Sequence, residues 1–217
     1  MKRLLAIVLL AGVLVSQAFC ADARSKSGFF VGVELDTSMG TNEDFFTLAE
    51  FFGFRNPFST KDLRAVLGAQ KYFTPSFGFD VRVRAGTGRM AFRNYDYDYR
   101  LFSTYSSLSG GAEAKILWDF YNDEEDSMGM SFGVRYDYIR ATHAFSSKHI
   151  PSPPPDDLPL MQKFFTTALA PAIGLHYYMG HHQIAFVYSI GRFIDKIGVV
   201  SPPKLFFTSN FSYTYRF

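Results

Sequence analysis

The sequence predicts an all-β fold: an eight-stranded antiparallel up-and-down transmembrane β-barrel with four long outer loops and three short periplasmic turns. Three observations predict it. Apolar and polar residues alternate with a period of two in eight segments, the connections between the segments alternate between short and long, and the chain combines many aromatics with moderate hydropathy. A barrel in lipid shows all three features, because alternate residues face lipid and lumen and the strands reverse at both membrane surfaces.

The alternation is clearest in residues 77–86. One face of this segment carries only Phe, Val and Ala, whereas the other carries Gly, Asp and Arg. A helix would not separate them in this way, because its apolar positions recur every three or four residues. Seven further segments repeat the pattern: residues 29–36, 63–70, 111–119, 130–138, 169–177, 184–191 and 207–217.

The connections between these segments alternate in length. Short connections are predicted near residues 74–76, 121–127 and 179–183, and long ones near 38–60, 86–104, 142–163 and 193–204. Three short turns and four long loops place both termini on the same side of the membrane. The first long loop is rich in Phe and could form a short amphipathic helix or an exposed apolar surface that binds a host or envelope partner. The third, with Pro at 151, 153–155 and 159, favours a stiff extended segment.

The composition limits the possible classes of protein. Phe, Trp and Tyr make up 18% of the chain, with 25 Phe and 13 Tyr. The mean hydropathy of −0.01 is too low for a helical membrane protein but suits strands with only one face in lipid. The net charge of +2 without a basic cluster gives no reason to expect nucleic acid as a partner.

The N-terminus has the pattern of a secretory signal peptide. Lys2 and Arg3 precede an apolar run over residues 4–15, and small residues follow it. We expect residues 1–23 to be the signal peptide, cleaved somewhere between 18 and 23, and residues 24–217 to be an outer-membrane β-barrel. Acylation of the single cysteine, Cys20, is disfavoured because the preceding Phe19 is large.

A soluble helical protein is the competing interpretation. Its best support is residues 164–180, which carry no formal charge. Pro171 in the middle of this segment and the β-branched pair Thr166 and Thr167 disfavour a helix there. Residues 61–70, taken alone, could also form an amphipathic helix.

Charged residues on the predicted inward face form the main candidate site. When Asp36 on the same face is counted, acidic and basic side chains occur there in matching numbers, which predicts an ion-pair network inside the lumen. A polar plug is favoured over a narrow channel, because eight strands leave little free cross-section. The predicted network comprises Glu34, Arg64, Asp80, Arg82, Arg84, Glu113, Lys115, Asp119, Arg135, Asp137 and Arg216.

The C-terminal segment resembles the last strand of Gram-negative outer-membrane proteins. Its aromatics alternate and end on the final residue, at Phe211, Tyr213, Tyr215 and Phe217. The resemblance implies that barrel-assembly machinery recognises this strand. The alternating pattern of the whole mature chain is similar to the OmpA/OmpX type of eight-stranded barrel, and the Tyr- and Phe-rich style resembles the Helicobacter-type outer membrane protein families.

No catalytic, cofactor or metal site is predicted. His176 is expected to face inward as a hydrogen-bonded histidine, and His181 and His182 to lie in a periplasmic turn. Neither His143 nor His176 has the serine two residues later that lipid A deacylases use. The predicted function is an outer-membrane structural or surface protein; adhesin-like binding, lipid modification and a narrow pore are alternatives. Expected partners are outer-membrane lipids and lipopolysaccharide, the assembly machinery, and a host or envelope partner at the loops.

Overall fold

The computed structural model describes residues 26–41, 58–96, 99–123, 126–149, 163–194 and 205–217. The predicted signal peptide with Cys20, the Phe-rich part of the first loop and the proline-rich segment lie outside these residues. The described residues form eight strands: β1 (Gly28–Thr41), β2 (Phe58–Tyr72), β3 (Phe77–Asp96), β4 (Tyr99–Asn122), β5 (Asp126–His149), β6 (Lys163–Met179), β7 (His182–Phe193) and β8 (Leu205–Arg216).

Each strand pairs antiparallel with the next, and β8 pairs with β1 to close the sheet. Following paired residues once around the barrel leads from Gly28 to Ser38, so the register advances by ten residues over eight strands. A stagger of this size tilts the strands by roughly 40° from the barrel axis. The predicted all-β, eight-stranded antiparallel up-and-down barrel is confirmed.

Three tight turns join the strands at one end, which we call the turn end. They lie between Tyr72 and Phe77, between Asn122 and Asp126, and between Met179 and His182, as the sequence predicts. In the first turn, the Thr74 hydroxyl accepts hydrogen bonds from the N–H groups of Ser76 and Phe77, at 3.3 and 3.0 Å. In the third, Gly180 has a φ of 57°, a conformation that glycine adopts without steric cost.

The opposite end, the loop end, differs from the predicted loop boundaries. Strands β3 and β4 stay paired as far as Asp96 and Tyr99, so a long hairpin occupies most of the predicted second loop. Strand β5 continues with β4 as far as His149. Because β4 and β5 each have 24 residues and β7 and β8 only 12, one side of the barrel stands much taller than the other.

The two faces of the wall have opposite chemistry. Val33, Val83 and Leu175 point outward with about half of their surface exposed, whereas Arg64, Asp80 and other charged side chains point inward and are buried. No helix in the described ranges is long and apolar enough to cross a membrane. The wall is thus apolar outside and polar inside, as in barrels surrounded by lipid.

Residues 164–180, the best support for a helical interpretation, lie almost entirely in strand β6. The pairing of β6 with β7 is interrupted at Ala170 and Pro171 and resumes at Ala172. A proline has no N–H group to donate, which accounts for a weak point in the ladder here. Residues 61–70 likewise form strand β2 rather than a helix.

Candidate functional site in the barrel lumen

The structure places all eleven predicted network residues on the inward face, and every one of them is buried. The inward positions follow from the period of two, because each charged residue alternates with an apolar one on the same strand. Nine of the eleven lie on strands β1–β5 at the middle level of the lumen. We call this part of the wall, with Asp36 and Asp62, the charged wall.

Asp137 on β5 is the centre of the charged wall. Its carboxylate accepts hydrogen bonds from Arg135 Nε at 2.5 Å and from Arg64 NH1 at 2.7 Å, and Arg84 Nε lies 3.3 Å away. Arg135 also binds Asp36, across the lumen on β1. Buried charges at these distances stabilise the fold only because each cation has a carboxylate partner.

A second group of ion pairs lies closer to the turn end. Arg82 donates to Asp80, two residues away on β3, at 2.5 and 2.9 Å. Glu113 Oε2 accepts a hydrogen bond from Arg84 NH1 at 3.3 Å and lies 3.8 Å from Lys115 Nζ. These contacts extend the network from the centre of the barrel toward its turn end.

The inward residues of β6 and β7 are small and uncharged where they face the charged wall. They include Ala168, Ala170, Ala172, Ala185 and Val187, all buried. We call them the small-residue wall. Long arginine side chains from one wall need space at the other, and alanine supplies it because it occupies little of the lumen.

Gly111 shows how little space remains around the ion pairs. A Cβ atom at this position would lie 2.7 Å from Asp137 Oδ1 and 3.2 Å from Arg84 Nε. Glycine therefore allows the salt bridge to approach the backbone of β4 closely.

An aromatic and polar layer closes the turn end. Tyr72, Leu117 and Tyr178 form a buried apolar cluster. Asp119 Oδ1 accepts a hydrogen bond from the Tyr72 hydroxyl at 2.9 Å and lies 2.7 Å from His176 Nε2, while Lys26 binds its other oxygen at 2.7 Å. The side chains of this layer extend across the lumen below the charged wall.

Arg216 lies apart from the ion pairs of the charged wall. It donates to the carbonyl oxygen of Gly180 at 2.8 Å and sits over the ring of Tyr178, 5.5 Å from the centroid. Within the described residues it has no carboxylate partner at ion-pair distance. Asp119 and Arg216 thus belong to the turn-end layer.

A small recess lies above Arg64 and Arg135 at the loop end of the lumen, between the two walls. Small or uncharged residues provide most of its lining: Ser38, Thr60, Ile139, Ala168, Phe206 and Thr208. The ion pairs form the floor of this recess, so it does not continue through the barrel as an open channel.

The histidines are dispersed. His176 is buried in the turn-end layer, His181 lies in the third turn and His182 begins β7. The rings of His181 and His182 stack on Tyr215 and Tyr213, respectively. The side chains of His143 and His149 lie outside the described part of the molecule. In the described ranges, no group of three or more His, Cys, Asp or Glu side chains is arranged to hold a metal ion.

The four C-terminal aromatics all point outward, three from β8 and Phe217 from the residue directly after it. Tyr215 packs edge-on against Phe217 with ring centroids 5.4 Å apart. Their strand pairs with β1 on one side and β7 on the other, so it closes the barrel.

Several residues of the lumen were not included in the predicted network. Asp62 binds Arg64 at 3.0 Å, but it lies one residue before the segment in which alternation was recognised. Lys26 precedes the first strand, so period-two alternation gives no signal for it. Tyr72 and Tyr178 look like further aromatics in an aromatic-rich chain until the register places them inside the lumen.

No family model matches this sequence, and a comparison with curated proteins finds none that matches. Among solved structures, the chain is similar to Ail, the attachment invasion locus protein of Yersinia pestis, with 13% identity over 88% of this chain and 97% of that chain, TM-score 0.40. It is also similar to Neisserial surface protein A, with 13% identity, 88% and 98% coverage, TM-score 0.45. The outer membrane protease OmpT from Escherichia coli matches with 10% identity, 94% and 100% coverage, TM-score 0.48. The strand pairing and the apolar outer face of this chain themselves establish its outer-membrane-type barrel fold.

Proposed function

We propose that the chain is an integral bacterial outer-membrane protein whose lumen is a closed, rigid plug and whose loop end is the contact surface. The observation that carries this proposal is the combination of an uncharged outer band with a buried ion-pair network inside. A polar interior surrounded by an apolar exterior is stable in a bilayer and would aggregate in water.

The height of the band supports a membrane location. The outward side chains of the described strands carry no Asp, Glu, Lys or Arg over about eleven residue levels above the turn end. At roughly 2.5 Å of axial rise per residue for strands tilted by about 40°, this corresponds to about 25–30 Å. The apolar band of outer-membrane barrels is about 25 Å tall.

The two layers inside the lumen support a plug rather than a pore. Small-solute diffusion would require Arg64, Arg84 and Arg135 to leave their carboxylate partners, and would also require the turn-end layer to open. A buried charge left without its partner costs about 3–5 kcal/mol. The plug therefore holds the barrel rigid and leaves recognition to the loop end.

Export and assembly follow from the same proposal. A cleaved signal peptide in residues 1–23 would deliver the chain to the envelope. The β8 strand, with Phe211, Tyr213, Tyr215 and Phe217 on its outward face, would then present the edge that assembly machinery binds before the barrel closes against β1.

A second candidate function, adhesin-like binding, is favoured by the tall side of the barrel. The paired strands β3, β4 and β5 continue about 20 Å beyond the uncharged band. Paired strands at that height would project beyond a membrane surface toward a host or envelope partner.

The first experiment is gel mobility of the membrane-extracted protein, boiled against unboiled, with fractionation of the envelope. The proposal predicts a mobility shift on boiling and recovery in the outer-membrane fraction. A soluble periplasmic protein without a shift would overturn it. Lipid analysis of a deletion strain addresses the enzymatic alternative, since an altered acyl pattern would contradict a non-enzymatic role.

A further inference from the structure

Four outward-pointing cations mark the upper limit of the uncharged band. Lys61 on β2, Arg89 on β3, Arg140 on β5 and Arg192 on β7 are all exposed. Each is the first charged residue met on the outward face of its strand when moving from the turn end past the band. We call these four residues the basic ring.

The register places the basic ring at one level of the barrel. Lys61 and Arg89 are directly paired neighbours on β2 and β3. Each step to the next strand along the hydrogen bonds climbs about 1.25 residues, because ten residues of stagger are shared over eight strands. With this correction the four Cα atoms lie within about two residue levels, or roughly 4–5 Å along the axis.

An aromatic belt marks the opposite limit of the band. The outward side chains of Phe77, Trp118, Tyr177, Tyr215 and Phe217 lie within a few residue levels of one another at the turn end. Aromatics prefer the boundary between hydrocarbon and water. The basic ring lies roughly 25–30 Å above this belt, which places it at the other boundary, near the headgroups of the outer leaflet.

No carboxylate forms an ion pair with the basic ring within the described residues, where the ion pairs involve lumen or turn-end groups. An unpaired Arg or Lys is strongly destabilising near the bilayer centre but costs little at the boundary. At the boundary the natural partners are lipid phosphates, because guanidinium groups bind them in bidentate fashion and ammonium groups bind them as point charges.

We infer that the basic ring is a binding site for the phosphate groups of a phosphorylated glycolipid in the outer leaflet. The paired Lys61 and Arg89 provide its strongest part, since two cations on adjacent strands reach the same phosphate. Arg140 and Arg192 extend the site around the barrel. This inference rests on the proposed membrane location and adds the headgroup chemistry and the residues that recognise it.

The test measures binding of lipopolysaccharide to the folded, detergent-solubilised mature protein by native mass spectrometry and by titration. The K61Q/R89Q variant should bind at least about tenfold more weakly than the wild type, because two charge-assisted contacts are lost. The control is Lys71→Gln, ten residues away on the same face of β2 but at the turn end. Its affinity should stay within about twofold of the wild type, because it lies at the other boundary.

Two further measurements test whether the phosphate groups are the ligand and whether lipid phosphate can be distinguished from free phosphate. Wild-type protein should bind lipopolysaccharide stripped of its phosphates more weakly than intact lipopolysaccharide. The K61R/R89K variant should retain binding because it keeps both charges. Inorganic phosphate at millimolar concentration should not displace the lipid. Equal binding of the stripped lipid, or wild-type affinity in K61Q/R89Q, would overturn the inference.

Failure of phosphate binding by the basic ring is distinguishable from failure of the proposed function. If the barrel shifts on boiling and fractionates with the outer membrane but does not bind lipid phosphates, only the proposed role of the basic ring is contradicted. A protein that does not shift and is soluble contradicts the membrane location itself.

Discussion

The charged wall and the small-residue wall enclose the same lumen with opposite residue types. At the middle of the lumen the inward side chains of β1–β5 include many Arg, Lys, Asp and Glu, whereas those of β6 and β7 are mostly Ala, Val and Gly. The long side chains of one wall extend into the space that the other leaves. A narrow barrel is therefore filled by complementary volumes, and its ion pairs are held in place by the neutral wall as well as by their partners.

The largest expected effect comes from removing one charge at the centre of the charged wall. Asp137→Asn keeps the size of the side chain but leaves Arg64, Arg84 and Arg135 short of one negative charge. We expect a loss of about 3–5 kcal/mol in the free energy of unfolding, measured by urea titration in lipid vesicles. A loss below about 1 kcal/mol would mean that the ion pairs are solvated and that the lumen is open.

The outward face offers a sharper comparison within β3. Arg82 and Arg84 are buried on the lumen side, and Val83 between them points outward with 54% of its surface exposed. Val83→Arg should cost about 2–4 kcal/mol, because it lies near the middle of the uncharged band. In the same assay Thr87→Arg, close to the level of the basic ring, should cost about 0–1 kcal/mol. Equal costs at the two positions would contradict the proposed membrane boundaries.

The small-residue wall can be tested by adding volume. Ala170 is 1% exposed and packs with Ala168 and Phe206. We expect Ala170→Leu to lower the free energy of unfolding by about 1–3 kcal/mol through overpacking. The matched control is Ala65→Leu, which adds the same atoms to an outward position on β2. A tolerated leucine at Ala170 would show that this wall has spare volume.

The smallest expected effect comes from removing a complete ion pair. Asp80 and Arg82 bind each other on β3, so the double replacement D80V/R82M leaves the charge balance of the lumen unchanged. Stability should remain within about 1 kcal/mol of the wild type, whereas Asp80→Asn alone should be costly. If the double replacement is as harmful as the single one, the pair has a specific role in packing that charge balance does not explain.

The two walls also differ in how readily the sequence reveals them. In residues 77–86, charge on one face and apolar residues on the other make the period of two obvious. In β6 both faces are uncharged, because the inward alanines face the arginines across the lumen, and a helical interpretation of residues 164–180 could compete. The eight strands were therefore predictable from the chain as a whole, but the role of the alanines required the register.

Pairwise contacts could not be predicted in the same way. Alternation places Arg64, Arg135 and Asp137 in the lumen, but only the stagger of the strands brings β2 and β5 side chains into contact. The second outer connection was also misplaced, since the polar alternation that continues in β3 and β4 beyond the apolar band gives a weak strand signal. The basic ring is likewise formed by residues separated in sequence and becomes visible only when the stagger is known.

The most direct test of the closed lumen is single-channel recording of the purified, refolded protein in a planar bilayer. We expect no conductance steps across the physiological range of voltage, because the charged wall, the small-residue wall and the turn-end layer together fill the barrel. Stable, reproducible conductance steps from wild-type protein would contradict it and would make the ion-pair network the lining of a pore.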